Sequence, residues 1–377
     1  MSEISIVEVN TKAEFRKFVD VPNVMYRDVP EYVPAFYGDD LDDWDKSKNP
    51  AFKYCEARAF LAYKDNQIVG RIGAILSHKA NKTWHTKRMR FTQVDFIDDP
   101  EVSAKLFETV EKWALEKGCE QVHGPLGFCD LDREGMLVEG FDKRSMFITY
   151  YNPPYYNEHL QRLGYEKDVD WVEYKIMVPK KEDKIYSSLS KLAELSLQRN
   201  KLHIVKLSSR SQYKPYVRKV FELVNIAYAD LYGVVELEDE QIEKYSKKFT
   251  PLVNPDFVCF VTDENENLAG FGVSCPSMAS AMQKSHGRLF PFGWIGVLKS
   301  LRRNNVLDLL LIAVHPDYQN KGVNAIIMDH IMKSCIKNGI EYAESGPQLE
   351  LNHKVLSQWN SFDTSQHKRR RCYIKTL

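Results

Sequence analysis

No Cys-x-x-Cys pair occurs in this chain, although it holds seven cysteines: Cys55, Cys119, Cys129, Cys259, Cys275, Cys335 and Cys372. An odd, scattered set argues against a zinc site and against a disulfide framework, so no metal is expected and a reducing cytoplasm suits the chain. Neither sign of charge is in excess, because Lys plus Arg and Asp plus Glu both total 52. No overall field therefore favours nucleic acid or an anionic membrane as partner. No apolar run approaches the ~20 residues that span a bilayer, and Met1–Val9 lacks the basic-then-apolar pattern of a secretory signal. The expectation is a cytoplasmic protein. Two phosphate signatures are also missing: there is no Gly-Lys-Ser/Thr ending of a nucleotide P-loop and no Gly-x-Gly-x-x-Gly. What remains is a chain of 377 residues, 44% hydrophobic and 12% aromatic, long enough for two domains that each bury a core.

The chain says the same thing twice. Ser5–Val9 followed by a helix around Ala13–Val19 matches His203–Leu207 followed by a helix around Tyr216–Tyr228. Phe60–Gly70 aligns without a gap to Phe260–Gly270, each a strand, a polar Asp/Asn turn and a second strand. Gly118–Pro125 resembles Gly339–Pro347, a helix stop, a strand and a Gly-Pro turn. Three landmarks in one order point to duplication with a period far longer than a solenoid's. The seam falls at Pro179–Lys184 and a connecting helix near Ile185–Arg199, where Leu189, Leu192, Ala193 and Leu197 share a face. We therefore expect a first domain over residues 1–180, a connecting helix over 181–200 and a second domain over 201–377.

Val306–Cys335 is the most informative stretch. Val306–Val314 is an apolar run that suits a strand covered on both faces. After Pro316 the pattern turns helical, with Val323, Ile326, Ile327, Ile331 and Cys335 on one face. Between them, Gly322 carries no side chain to hold a ligand off the backbone. The N–H groups of Asn320–Ala325 at the helix start can converge on an anion such as a pyrophosphate. The first half differs at the matching place. Its strand Arg90–Ile97 runs into Asp98, Asp99, Pro100 and Glu101 with no glycine. Those acids are good helix caps, and the same charges repel a phosphate. The second half is expected to hold the ligand.

The order strand, helix, hairpin, long strand, Gln319-x-x-Gly322-x-Asn324-Ala325 loop, helix and strand resembles the GNAT acyltransferase superfamily, whose pyrophosphate loop reads Gln/Arg-x-x-Gly-x-Gly/Ala. Asn324 stands where Gly or Ala is usual. Asn152–Tyr165 resembles the superfamily's late Asn, helix and Leu-Gly-Phe/Tyr ending. Asp28–Pro34, Gly135–Phe141 and Gly287–Gly293 carry a likeness to bacterial double-GNAT proteins over nearly the whole length. The resemblance implies an α/β fold with a mixed sheet, built as two tandem GNAT-like acyl-CoA N-acyltransferase domains. The first of these is degenerate and lacks the pyrophosphate loop.

It further implies that acetyl-CoA or another acyl-CoA is held by Ile312, Ala313, Val314, Gln319, Asn320, Lys321, Gly322, Val323, Asn324 and Ala325. A backbone N–H near Ala313 or Val314 would polarise the thioester carbonyl. Glu344 and Glu350 are candidate bases with Asn352 beside them, and Tyr373 or Tyr232 is a candidate acid for the thiolate. His315 reads more readily as a turn cap than as a base. The acceptor would be an amine of a small molecule or peptide. A binding protein without turnover and an aminoacyl-tRNA-dependent transferase are the alternatives. His367–Arg371, a basic run, reads as a solvated or edge-protecting strand rather than a nucleic-acid patch. Oligomeric state has no signature here.

Overall fold

The computed structural model describes residues 3–207 and 209–377. The element order begins β1 (Ile4–Glu8), α1 (Lys12–Met25), α2 (Tyr37–Asp43), β2 (Cys55–Lys64), β3 (Gln67–Ser77), α3 (His78–Thr83), β4 (Arg88–Phe96) and α4 (Pro100–Glu116). It continues β5 (Gln121–Gly124), β6 (Met136–Glu139), α5 (Tyr155–Arg162), β7 (Glu166–Met177), α6 (Lys184–Asn200), β8 (His203–Ile204), α7 (Lys214–Ala227), α8 (Asp239–Phe249), β9 (Val258–Thr262) and β10 (Leu268–Pro276). It closes α9 (Ala279–Ser285), α10 (Gly293–Arg302), β11 (Val306–Val314), α11 (Val323–Asn338), β12 (Tyr342–Ser345), β13 (Gln348–Leu349), α12 (His353–Leu356) and β14 (Thr364–Thr376). Two compact units result. One comprises Met1–Val172, Ala279–Val297 and His367–Leu377, and the other Glu173–Met278 and Leu298–Gln366.

Each unit has the same strand plan. In the first, β1 to β4 pair antiparallel in chain order, β5 joins β4 in parallel, and β14 pairs antiparallel with β5. In the second, β8 to β11 pair antiparallel, β12 is parallel to β11, and the end of β7 is antiparallel to β12. The parallel step needs a crossover, and a helix supplies it each time: α4 between β4 and β5, α11 between β11 and β12. The fold is thus mixed α/β and repeated. The β2–β3 hairpin turns through Asp65 and Asn66 at φ 51° and 61°. These side chains tolerate the left-handed region that a two-residue turn demands.

The crossover helices sit unusually close to their sheets. A Cβ on Gly70 would lie 2.9 Å from Leu106 of α4, and one on Gly270 would lie 2.7 Å from Val323 of α11. The gap-free alignment of the two hairpins thus ends on two glycines with one job. Helix α11 buries the expected stripe of Val323, Ile326, Ile327, Ile331 and Cys335 against Cys259, Val261, Leu307 and Ala343. Each such side chain removed from water contributes on the order of 1.5–3 kcal/mol. Helix α6 packs along α11 and buries Leu189, Ala193 and Ser196. Leu192, expected on that face, is exposed.

Two placements could not be anticipated from local pattern. Residues 279–297 belong to the first unit, where Tyr37 N–H donates to Gly287 O at 2.9 Å and Arg288 pairs with Asp20 at 2.8 Å. The basic run His367–Arg371 is corrected from a solvated or edge strand to an interior one. Lys368 and Arg370 are fully buried, Lys368 donates to Arg144 O at 3.0 Å, and Arg369 and Arg371 both reach Asp170. Buried carbonyls and one buried carboxylate make the cations structural.

Replacing Gly270 by Ala should push α11 off the sheet and cost roughly 1–3 kcal/mol. Urea unfolding of Gly270→Ala against wild type measures it, and an unchanged midpoint would contradict the close approach.

Candidate functional site

The strand pair β11/β12 stays together for only four residues. Register runs from Val306 opposite Tyr342 to Leu309 opposite Ser345, closed by Gly346 N–H to Leu309 O at 3.0 Å, and then the strands part. Strand β11 keeps its other neighbour, pairing Ile312, Ala313 and Val314 with Gly272, Phe271 and Gly270. A bulge between Val273 and Ser274 leaves Leu310 unmatched and turns the strand where it separates. The His315 N–H donates to Ala269 O. By antiparallel alternation, Ala313 then faces β10, while the peptide groups of Ile312 and Val314 face the open side. Tyr228, just past the end of α7, donates its hydroxyl to Ile312 O at 2.9 Å. No side chain among the described residues takes the Val314 N–H.

The first unit opens in the same way and closes itself. Ile97 N–H donates to Val69 O, so Phe96, opposite Gly70, turns its peptide groups to the open side just as Val314 does opposite Gly270. There Tyr156 hydroxyl accepts from Phe96 N at 2.6 Å, and Tyr155 hydroxyl donates to Phe96 O at 2.7 Å. Both tyrosines come from α5, and Tyr156 stacks on the Phe96 ring at 4.0 Å. The opening is filled by the chain's own side chains.

The helix starts differ to match. At α4 the Asp99 carboxylate accepts from Glu101 N–H and pairs with Lys64 at 2.8 Å, with Pro100 in the first turn. At α11 the cap is Gly322 at φ 77°, no side chain caps it, and its first turn holds no acid. Helix dipole and free N–H groups therefore remain available to an anion. Gly322 itself has a second reason to be glycine. A Cβ there would lie 2.0 Å from Ser196 Oγ of α6, and Asn200 of that helix donates to Lys321 O at 3.0 Å. Asn324 turns aside to Gln358, its Nδ2 donating to Oε1 at 3.1 Å. That leaves Gln358 Nε2 buried with no partner among the described residues.

The remaining expected site residues are dispersed. Gln319 follows the short turn Pro316–Tyr318, Asn320 takes φ 61°, and His315 caps that turn by accepting from Asp317 N–H at 3.3 Å. Glu344 is half-buried in β12, with Asp308 of β11 on one side and Lys175 of β7 on the other. Glu350 lies half-buried past β13. Asn352 caps α12, accepting from Val355 N–H at 3.3 Å, so its carbonyl oxygen is engaged. Tyr373 does not join this group. It lies in the first unit, fully buried, donating to Asn157 at 2.7 Å. Sequence reading missed Asp308 and Tyr228. Asp308 is buried in an otherwise apolar strand, and a lone carboxylate in such a run was the available signal. Its charge adds to burial in pushing up the Cys275 thiol across the strand pair.

Two polar clusters lie in the first unit. A small, partly open cleft is lined by Asn23, Tyr32, Asp40, Arg71, Asp95 and Arg133. Its charges cancel, because Arg133 reaches both oxygens of Asp40 at 2.6 Å and Arg71 reaches Asp95 at 2.6 Å. His123, Asp168 and Cys372 form the one group with metal-ligand spacing among the described residues. Arg88 already pairs with Asp168 at 3.2 Å, and that positive charge disfavours a cation. Burial, with Arg90 and Arg88 adding to it, lowers His123 to about 4.

Residues 220–356 match the profile of the Acetyltransferase (GNAT) family. Protein YghO of Escherichia coli (strain K12) is 25% identical over 373 residues, covering 97% of this chain and 94% of that protein. A protein named bacterial ceramide synthase, from Caulobacter vibrioides (strain NA1000 / CB15N), is 24% identical over 388 residues, covering 100% and 98%. Among solved structures, a tandem GNAT protein from the clavulanic acid biosynthesis pathway superposes with a TM-score of 0.56 at 11% identity, covering 99% of this chain and 98% of that one. This last likeness concerns the fold alone.

The buried His123 gives a pH signature. Its imidazole stays uncharged in the fold, whereas the unfolded chain takes up the proton below about pH 6.5. Stability should be full above that pH and fall by about 3 kcal/mol as pH drops towards 4. In His123→Gln the slope of unfolding free energy against pH should flatten across this window, whatever the overall offset. An unchanged slope would sink the assignment.

Proposed function

We propose that this tandem GNAT-fold chain, whose residues 220–356 belong to the acetyltransferase (GNAT) family, is an acyl-CoA-dependent N-acyltransferase whose cofactor site lies in the second half. The observation that carries this reading is the open edge of β11 at Val314, leading directly into a helix start that has glycine and no acid. The donor set fits a pyrophosphate. The N–H groups of Val323, Asn324 and Ala325 would receive it, with Lys321 and the buried Gln358 Nε2 adding donors nearby. Bonds from N–H to a charged phosphate contribute on the order of 1.5–3 kcal/mol each. When bound, acyl-CoA supplies the activated thioester.

The chain's own groups then have limited work. The Val314 N–H polarises the thioester carbonyl and holds the charge that develops on its oxygen. Glu344 accepts the proton of the attacking amine, directly or through water, with Asp308 beside it and Lys175 opposite. We assign protonation of the departing thiolate to Tyr228, whose hydroxyl already stands at the open edge. Ile312, Ala313 and Gln319 to Asn320 shape the strand and loop. The first domain, with its opening filled by Tyr155 and Tyr156, contributes no second cofactor site. Full-length similarity to a protein named a ceramide synthase supports a long acyl chain and an acceptor amine on an amphiphilic amino alcohol. A binding protein without turnover is the competing reading. It is favoured by the service Gly322 gives to the packing of α6, which makes the loop glycine explicable without a ligand.

Asn324→Glu separates folding from binding. A carboxylate in the first turn suits the helix dipole and should leave the melting temperature level or slightly higher, yet it should weaken palmitoyl-CoA binding at least about tenfold. Calorimetry on both proteins reads this, and a wild type that binds neither acetyl-CoA nor palmitoyl-CoA at millimolar concentration ends the proposal. Glu344→Gln should keep binding and lower thiol release, with sphinganine as acceptor, by about 100-fold. Binding without turnover on sphinganine, spermidine or a peptide amine would transfer support to the binding-protein reading.

A further inference from the structure

One short segment gathers five exposed large apolar side chains, whereas the others of this kind lie singly or in pairs along the sequence. Phe290 and Phe292 are 81% and 74% exposed, and Trp294, Ile295 and Leu298 are exposed after them. They occupy the turn before α10 and its outer faces. The inner stripe of that helix is Val297 and Leu301, four residues apart and both buried. Lys299 and Arg302 project from the same helix, exposed. The segment is held in place by its other end, where Gly287, at φ 73°, packs its Cα against Ala35 O and Arg288 pairs with Asp20.

Charge around this segment departs from the balance of the whole. From Leu268 to Leu307, 40 residues, there is no Asp or Glu, while Lys284, Arg288, Lys299, Arg302 and Arg303 supply five cations. Arg288 has its acid in Asp20. Lys299 and Arg302 make no ion pair among the described residues, in a chain where Lys plus Arg equals Asp plus Glu. Exposed aromatic rings beside unpaired cations, on a stretch with no acid of its own, match an anionic surface with an apolar interior. They do not match a second copy of the same face, which would set the same cations against one another.

We propose that residues 288–303 dock this protein onto an anionic lipid bilayer. Phe290, Phe292, Trp294 and Ile295 enter the boundary between headgroups and acyl chains, and Lys299 and Arg302 lie against the anionic headgroups. Tryptophan favours that boundary because its ring is apolar and its N–H polar. An amphipathic helix lies in the plane of the surface rather than across it, and no helix among the described residues is long and apolar enough to cross. A neutral total charge does not oppose this, since attraction to a charged surface falls off within a Debye length and is decided by the cations nearest to it. The proposal stands apart from acyl transfer and is tested without it.

The test is co-sedimentation of the full chain with vesicles of phosphatidylcholine alone and of phosphatidylcholine mixed with phosphatidylglycerol. Wild type should sediment with the mixed vesicles, less so as salt rises. Lys299→Glu/Arg302→Glu should lower partitioning at least about tenfold, each cation near the surface being worth roughly fivefold. Phe290→Ser/Phe292→Ser should lower it comparably at high salt as well as low. These side chains are exposed, so both variants should keep the wild-type melting temperature, which is checked first. The fluorescence difference between wild type and Trp294→Phe should shift to the blue on adding mixed vesicles. Three outcomes overturn the proposal: wild type stays in the supernatant with both compositions, the variants sediment as well as wild type, or velocity sedimentation finds a lipid-independent dimer that the Phe variants abolish.

Discussion

A strand that parts from its neighbour strands its peptide groups, and a buried peptide group without a partner costs about as much as a lost hydrogen bond. Both halves of this chain meet that constraint at the same register position, Phe96 opposite Gly70 and Val314 opposite Gly270. In each half the parting pair is the parallel one, and a crossover helix joins it. The glycines let that helix approach closely enough to cover the pair. At this position the halves differ in the partner they give the exposed groups. The first half places two tyrosine hydroxyls on them, and in the second no side chain among the described residues reaches the Val314 N–H.

This reorders the weight of the features around α11. Gly322 reads from sequence as the mark of a ligand close to the backbone. In the fold it is also fixed by its φ of 77° and by Ser196 behind it, so a glycine would be needed there with or without a ligand. The missing acid in the first turn and the unfilled edge at Val314 have no such internal reason. They carry the inference, and they are legible only by contrast with Asp99, Tyr155 and Tyr156 in the other half.

The repeated hairpins, the α11 stripe and the acidic cap at Asp99 were readable because each is a local pattern: a two-residue turn, a period of 3.6, a carboxylate before a helix. What escaped reading was decided by residues far apart in sequence. Asn152–Tyr165 was recognisable as the end of a fold, yet nothing local says that Tyr156 would reach Phe96. Asp308 was hidden by its neighbours, since a run of eight apolar residues around one acid still reads as a buried strand. Tyr373, expected as an acid for the thiolate, belongs to the first unit because β14 pairs with β5.

The basic residues make the same point about reach. Arg71, Arg133, Arg369 and Arg371 sit in quite different local sequences, and the fate of each is set by what the fold brings to it. Asp170 receives Arg369 and Arg371, Asp95 receives Arg71, and Asp40 receives Arg133. A buried carboxylate or carbonyl within reach lets a cation be part of the interior, where leaving it unpaired would cost several kcal/mol. Between Leu268 and Leu307 the sequence provides no carboxylate at all, and among the described residues only Arg288 finds one elsewhere. Lys299 and Arg302 stay in water without an ion-pair partner among the described residues, close in sequence to the exposed rings of Phe290, Phe292 and Trp294. A neutral sum over 377 residues conceals that local excess, and it is the local excess that an approaching surface feels.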